Sequence, residues 1–85
     1  MPKTLWSEAQ EALVVALTQA RKDAGLSQAA LAKTLRCQQS LIARIESGER
    51  RIDLVELVII SRAMGINAVE LLDRISVLVP LDAGL

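Results

Sequence analysis

The 85-residue chain contains no histidine, tyrosine or phenylalanine, and it has one cysteine, Cys37, and one aromatic residue, Trp6. The absence of histidine excludes Cys–His catalysis and histidine-ligated metal sites. A single cysteine excludes an internal disulfide, which favours a reducing compartment. The chain also lacks a Gly-rich phosphate-binding loop. We therefore expect no enzymatic activity, no metal or other cofactor, and no small-molecule ligand.

Long apolar runs are also missing, although 52% of the residues are hydrophobic. No run approaches the roughly 20 residues that a membrane-spanning helix needs. The start Met-Pro-Lys-Thr lacks the charged and apolar regions of a signal peptide. We expect a soluble, cytoplasmic protein that forms one compact domain with an aliphatic core.

Net charge is zero, but the charges are unevenly distributed along the chain. Residues 21–51 carry seven basic and three acidic side chains, which gives +4, and the remainder carries three basic and seven acidic, which gives −4. Such a dipolar molecule can orient a polyanion on its basic face without a basic total. Chance clustering of surface charge is the simpler alternative.

Apolar spacing and capping residues predict an all-α fold of five helices. Ser27 is expected to cap the second helix, and capping boxes are expected at Ser7/Gln10, Asp53/Glu56 and Asn67/Glu70. The Leu-Val-Ile-Ile run of the fourth helix predicts a central position. The predicted helices cover residues 7–24, 27–35, 39–47, 54–64 and 68–74, with Gly25, Gly48 and Gly65 as stops.

The C-terminal tail, residues 75–85, differs from the predicted helical domain of residues 1–74. Its β-branched Ser-Val-Leu-Val-Pro-Leu stretch predicts a short strand. Because a lone strand leaves its backbone groups unpaired, the strand would pair with its copy in a second protomer and so form a dimer. The alternative is irregular packing of the tail on the first or fifth helix.

Residues 26–51 are the most informative stretch, since they predict two short helices joined by a tight turn. The second of these helices has an outer face of glutamine, serine and arginine. This arrangement allows the second helix to enter the major groove of DNA, and these side chains hydrogen-bond base edges and phosphates.

Three segments carry a resemblance: Arg21-Lys-Asp-Ala-Gly-Leu-Ser-Gln-Ala-Ala-Leu-Ala, Ser40-Leu-Ile-Ala-Arg-Ile-Glu-Ser-Gly-Glu-Arg, and Ala63-Met-Gly-Ile-Asn. In order and spacing they resemble the phage-repressor, Cro-like or Xre-like, helix-turn-helix family over residues 17–72. The resemblance implies a five-helix repressor-like domain that binds double-stranded operator DNA as a two-fold homodimer.

The family pattern also assigns contacts residue by residue. It implies base contacts from Gln39, Ser40, Arg44 and Leu41, with glutamine suited to adenine, arginine to guanine and leucine to a thymine methyl. It implies phosphate contacts from Ser27, Gln28, Gln38, Lys33, Arg50 and Arg51, with Gln28 also bracing the recognition helix. Ordinary solvated helix surface is the alternative for all of these polar side chains.

Other positions have structural expectations. Arg21 and Glu46 match a family pair that forms an inward salt bridge between the first and third helices. Arg36 stands where the family usually has glycine at the turn, so either a positive φ is tolerated at a cost or the turn is rebuilt. Cys37 is expected to be a buried thiol. Trp6 is expected to anchor the start of the first helix or to contact a dimer partner.

Two classes of function remain after these observations. The first is a sequence-specific transcriptional regulator: a repressor or autoregulator, a restriction–modification controller, or the antitoxin of a toxin–antitoxin pair, which would also bind a toxin protein. The second is an interaction adaptor that kept the fold and lost DNA binding. Salt-dependent binding of duplex DNA discriminates between them.

Overall fold

The structure, a computed structural model, describes residues 7–85 and contains five α-helices in that part of the chain. The predicted anchor Trp6 and the Ser7 side chain of the first predicted capping box lie outside what is described. The helices are α1 (Ser7–Asp23), α2 (Gln28–Leu35), α3 (Gln39–Glu46), α4 (Leu54–Ala63) and α5 (Ala68–Ser76). The predicted all-α class and the order of the helices are confirmed, and every boundary agrees within two residues.

The helices surround one aliphatic core. α2 packs against α3 and α4, while α1 packs against α3 and α5. Buried Ala32 is small, so α2 and α3 can cross closely around it. The largest hydrophobic cluster consists of Leu17, Leu31, Ala32, Ile42, Ile45, Leu57, Ile60, Met64 and Leu71.

Side-chain caps begin three of the helices. The Ser27 hydroxyl accepts from the Ala30 amide at 3.0 Å at the start of α2. Asp53 and Glu56 form the predicted reciprocal capping box at the start of α4. Asn67 accepts from the amides of Val69 and Glu70 at the start of α5, which is only the Asn67 half of the predicted box.

At the turn between α2 and α3 the structure shows the first of the two alternatives, a left-handed residue. Arg36 has φ 58° and ψ 41°, and its amide donates to the Lys33 carbonyl at 3.2 Å. The next amide, of Cys37, donates to the Ala32 carbonyl at 3.0 Å. These two bonds form a Schellman motif, which ends α2. The turn therefore keeps its usual form with arginine in the glycine position.

The predicted C-terminal strand is wrong, because no strand forms anywhere in residues 7–85. α5 instead continues to Ser76, and the tail turns back on itself through hydrogen bonds from Leu78 to Ile75, from Val79 to Ser76 and from Ala83 to Pro80. A single strand has no neighbour to receive its backbone groups, whereas successive turns pair some of them locally.

The prediction of a central α4 is also wrong in part. α4 buries Leu57, Ile60 and Ser61, but Leu54 and Val55 are about two-thirds exposed. Only one side of this apolar helix is covered by α2 and α5. Within residues 7–85 no helix has both the length and the apolarity that crossing a membrane requires.

Candidate nucleic-acid interface

The outer face of α3 is open to solvent. Gln39, Ser40 and Arg44 are exposed, while Ile42 and Ile45 on the opposite face are buried in the core. This two-sided pattern follows from the helical period, which separates the polar and apolar positions of one short helix. The three polar side chains therefore lie together on a solvent-facing surface.

Leu41 differs from the other three residues assigned to base contacts. Its side chain is half-buried and packs against the core, beside Leu35, Cys37 and Ile59 at the edge of a shallow apolar groove. Cys37 is likewise half-buried rather than fully buried. Leu41 thus helps to pack α3 against the core, and only the outer edge of the Leu41 side chain remains available to a ligand.

A network of charge-assisted hydrogen bonds ties α3 to α1 and α2. Arg21 Nε donates to Glu46 Oε2 at 2.6 Å, and Arg21 Nη2 donates to Glu46 Oε1 at 3.0 Å. Gln28 Nε2 donates to the same Glu46 Oε1 at 3.0 Å, and Arg21 Nη1 donates to the Leu26 carbonyl at 2.7 Å. The expected inward salt bridge is therefore present, with Gln28 bracing the recognition helix.

This network also controls the charge of Glu46. Burial by itself would raise the pKa of the carboxyl, but the hydrogen bonds from Arg21 and Gln28 outweigh burial and hold the pKa below its ordinary value. Glu46 therefore stays ionised and bound to its partners at neutral pH. It adds no free negative charge to the outer face of α3.

Five of the six residues expected to contact phosphates fall into three groups. Ser27 and Gln28 already make the intramolecular hydrogen bonds described above. Gln38 is the exposed N-cap residue of α3 and makes no side-chain cap, though its Oε1 accepts weakly from Ser40 Oγ at 3.5 Å. Lys33 and Arg51 are exposed cations on α2 and on the loop after α3.

Arg50 has a partner that the sequence did not predict. Its Nη2 donates to Glu56 Oε2 at 2.7 Å and its Nη1 to Glu56 Oε1 at 3.1 Å, and Nη1 also donates to the Arg51 carbonyl at 2.9 Å. The hydrogen bonds from Arg50 and from the Asp53 amide lower the pKa of Glu56 to about 2. Arg50 therefore clamps the α3–α4 loop to the first turn of α4. In the sequence, the one feature that indicates this pair is a basic residue six positions before a capping-box glutamate.

All charged residues of α2, of the turn and of α3 before Glu46 are basic. From residue 24 to residue 45 the chain contains Lys33, Arg36 and Arg44 and no aspartate or glutamate. Acidic side chains first occur at its borders, where Glu46 is neutralised by Arg21. The unit therefore presents a positive surface that suits the phosphates of a polyanion.

Comparisons with known proteins agree with this geometry. A helix-turn-helix family model matches residues 17–71. The solved structure of an XRE-family like protein from Pseudomonas syringae pv. tomato str. DC3000 is similar, with 32% sequence identity and a TM-score of 0.81 over 87% of this chain and 90% of that one. No curated protein sequence matches the chain. On these matches and on the fold, the chain belongs to the Xre-like helix-turn-helix family of DNA-binding regulators.

Proposed function

We propose that the protein is a sequence-specific transcriptional repressor or autoregulator that binds a palindromic operator as a homodimer. The observation that carries the proposal is the solvent-exposed face of α3, where Gln39, Ser40 and Arg44 stand clear of the core. A helix displayed in this way can lie in the major groove with its N-terminal residues against base edges.

The chemistry of this face suits direct reading of bases. The Gln39 amide can pair with N6 and N7 of adenine, and the Arg44 guanidinium can donate two hydrogen bonds to O6 and N7 of guanine. Ser40 can donate to or accept from several bases. Lys33, Gln38 and Arg51 are the candidates for phosphate contacts, while Ser27 and Gln28 can add contacts beyond their structural hydrogen bonds.

Rigidity of α3 supports specificity. Because Arg21, Gln28 and Glu46 join three helices, the recognition helix is held in one orientation before it meets DNA. A preorganised reader loses less conformational freedom on binding than a mobile one. The buried network therefore serves readout without touching the bases.

The homodimer is supported by apolar side chains near the C-terminus. Val69 on α5 and Val77 beyond it are about three-quarters or more exposed, and Leu72 is half exposed. A second copy that covered such residues would bury apolar surface and place two recognition helices in successive major grooves, about 34–36 Å apart. Two-fold symmetry of the protein would then appear as a palindrome in the operator.

The test begins with selection of bound duplexes from a random library at 50 mM salt, followed by titration of the best duplex. Gln39→Ala and Arg44→Ala should each weaken binding by about 1–3 kcal/mol and relax the base preference at one position of each half-site. Gln19→Ala is the matched control, because Gln19 is an exposed glutamine on α1 that bonds only Asp23. Absence of duplex binding by the unaltered protein at this salt would refute the proposal.

The second candidate is either an antitoxin or an adaptor that has lost DNA binding. It is favoured by the exposed aliphatic side chains of the tail, which include Leu81 and Leu85. Deletion of residues 77–85 and measurement of mass in solution separate the roles. A shift from dimer to monomer supports a dimerisation role for the tail. An unchanged mass with intact DNA binding leaves the tail available for a different protein, such as a toxin.

A further inference from the structure

Arg36 occupies a backbone conformation that costs free energy. Its φ of 58° makes it the one non-glycine residue with a positive φ among residues 7–85, while the corresponding stops after α1, α3 and α4 are glycines. Residues other than glycine are disfavoured there because their Cβ atom approaches the following carbonyl oxygen. An arginine is therefore the less stable choice at this turn.

No contact within residues 7–85 compensates for that cost. The turn is held by the amides of Arg36 and Cys37, which any non-proline residue supplies. The Arg36 side chain is exposed, and in the part of the chain that the structure describes it makes no hydrogen bond or ion pair. A strained residue without intramolecular contacts indicates a role outside the folding of its own chain.

The position of Arg36 suggests what that role is. Gln39, the first residue of α3, is three positions further along the chain, so the two Cα atoms lie within about 11 Å. The major groove is about 12 Å wide and is bordered by phosphates on both sides. When the start of α3 lies in the groove, a long cationic side chain at this distance can reach the bordering phosphates.

The electrostatic surroundings favour the same partner. Lys33, whose carbonyl accepts the Arg36 amide, is an exposed cation one turn earlier on α2. Residues 24–45 contain no acidic side chain, and Glu46 at the end of α3 is held by Arg21 and Gln28, so no free carboxylate of the helix-turn-helix unit competes for the Arg36 guanidinium. The charge is therefore available to an external anion.

We propose that Arg36 binds a DNA phosphate at the edge of the major groove, and that the strained turn is retained for this contact. This inference rests on the proposed function and extends it by one residue for which the helix-turn-helix pattern calls only for turn geometry. A stability cost is thereby exchanged for DNA affinity at a single position.

The experiment measures stability and DNA binding of Arg36→Gly, since the two quantities should change in opposite directions. Relief of the left-handed strain should raise Tm, by up to about 4–8 °C for a domain of this size. DNA affinity should fall roughly two- to tenfold for each protomer, equally for all sequences. The slope of log affinity against log salt should become shallower by about 0.9 for each protomer, or about 1.8 for a dimer.

Three further variants isolate the charge from the backbone. Arg36→Asn removes the charge with a residue that tolerates the left-handed region, and it should show the same loss of slope. Arg36→Lys keeps the charge and should therefore keep most of the slope of log affinity against log salt. Arg62→Gln removes one exposed charge from α4, outside the helix-turn-helix unit, and should leave the slope nearly unchanged.

Each result decides one point. If the unaltered protein binds duplex DNA and Arg36→Gly raises Tm without changing affinity or slope, the phosphate contact is refuted and the proposed function stands. If Arg62→Gln changes the slope as much as Arg36→Gly does, the effect is one of total charge and the contact is also refuted. If the unaltered protein does not bind DNA, both proposals fail together.

Discussion

Two arginine–glutamate pairs within residues 7–85 have nearly the same bond pattern and different surroundings. Both guanidinium groups donate two hydrogen bonds to one carboxylate. Arg21 and Glu46 lie 25 residues apart, with side chains only 10% and 11% exposed. Arg50 and Glu56 lie six residues apart, with side chains 32% and 31% exposed.

The comparison shows that burial, rather than bond geometry, decides what such a pair does. Removing one partner of the buried pair leaves a charge without water or a counterion, which is costly. Removing one partner of the exposed pair leaves a charge that water can solvate. The first pair therefore determines the orientation of α3 against α1, whereas the second adjusts a surface loop.

The largest expected effect follows from comparing Glu46→Ala with Glu56→Ala. Glu46→Ala should lower the free energy of unfolding by about 3–5 kcal/mol, because Arg21 stays buried without its partner. Glu56→Ala should cost clearly less, since Arg50 is left in contact with solvent. Urea unfolding followed by circular dichroism measures both.

A double variant checks the cause of the Glu46 effect. Arg21→Met combined with Glu46→Leu should recover much of the stability, because two apolar side chains replace two desolvated charges. If the double variant recovers no stability, lost side-chain packing rather than an unpaired buried charge explains the loss in Glu46→Ala.

The next effect is the response to acid. Both carboxyl groups have a pKa below the ordinary 4.5 in the folded protein, to about 2 for Glu56. For a group with a lowered folded-state pKa, the unfolded chain binds protons first, so its stabilisation is complete above about pH 4.5 and disappears as pH falls towards the folded-state pKa. Urea midpoints should therefore be level from pH 7 to pH 5 and decline below.

The two pairs should share this acid response unequally. Glu56→Gln should reduce the fall of the urea midpoint between about pH 4.5 and pH 2. The plot of urea midpoint against pH should keep its shape near neutral pH. If the profile of Glu56→Gln coincides with that of the unaltered protein after a constant offset, the Arg50–Glu56 pair does not form in solution.

The smallest expected effect concerns DNA. Because Arg50 is held by Glu56, Arg50→Ala should leave the salt slope of duplex binding nearly unchanged. Lys33→Ala is the comparison, since loss of that exposed cation should reduce the slope by about 0.9 for each protomer. An equal reduction for Arg50→Ala would mean that Arg50 leaves Glu56 on binding and contacts a phosphate, as the family pattern implies.

Several features of the fold were predictable because their signals are local. The Ser27 cap and the Asp53/Glu56 box each depend on atoms within about four residues of chain, so the sequence displays the whole interaction. The alternation of inward Ile42 and Ile45 with outward Gln39 and Arg44 depends only on the helical period.

Two features were predicted incorrectly because they depend on neighbours that are distant along the chain or absent. The apolar sequence of α4 predicted burial, but coverage depends on how many helices surround it, and Val55 is left exposed. The β-branched tail predicted a strand, yet a strand requires a second strand, and the structure has turns there instead.

By itself the sequence determined where the helices begin and end, which side chains of α3 turn outward, and the family that the chain resembles. These follow from helical periodicity and from caps completed by neighbouring residues. Only the tertiary structure decided that Arg50 is held by Glu56, that Gln28 shares Glu46 with Arg21, and that Leu41 packs against the core. A long side chain can reach several partners, and the approach of the packed elements selects among them.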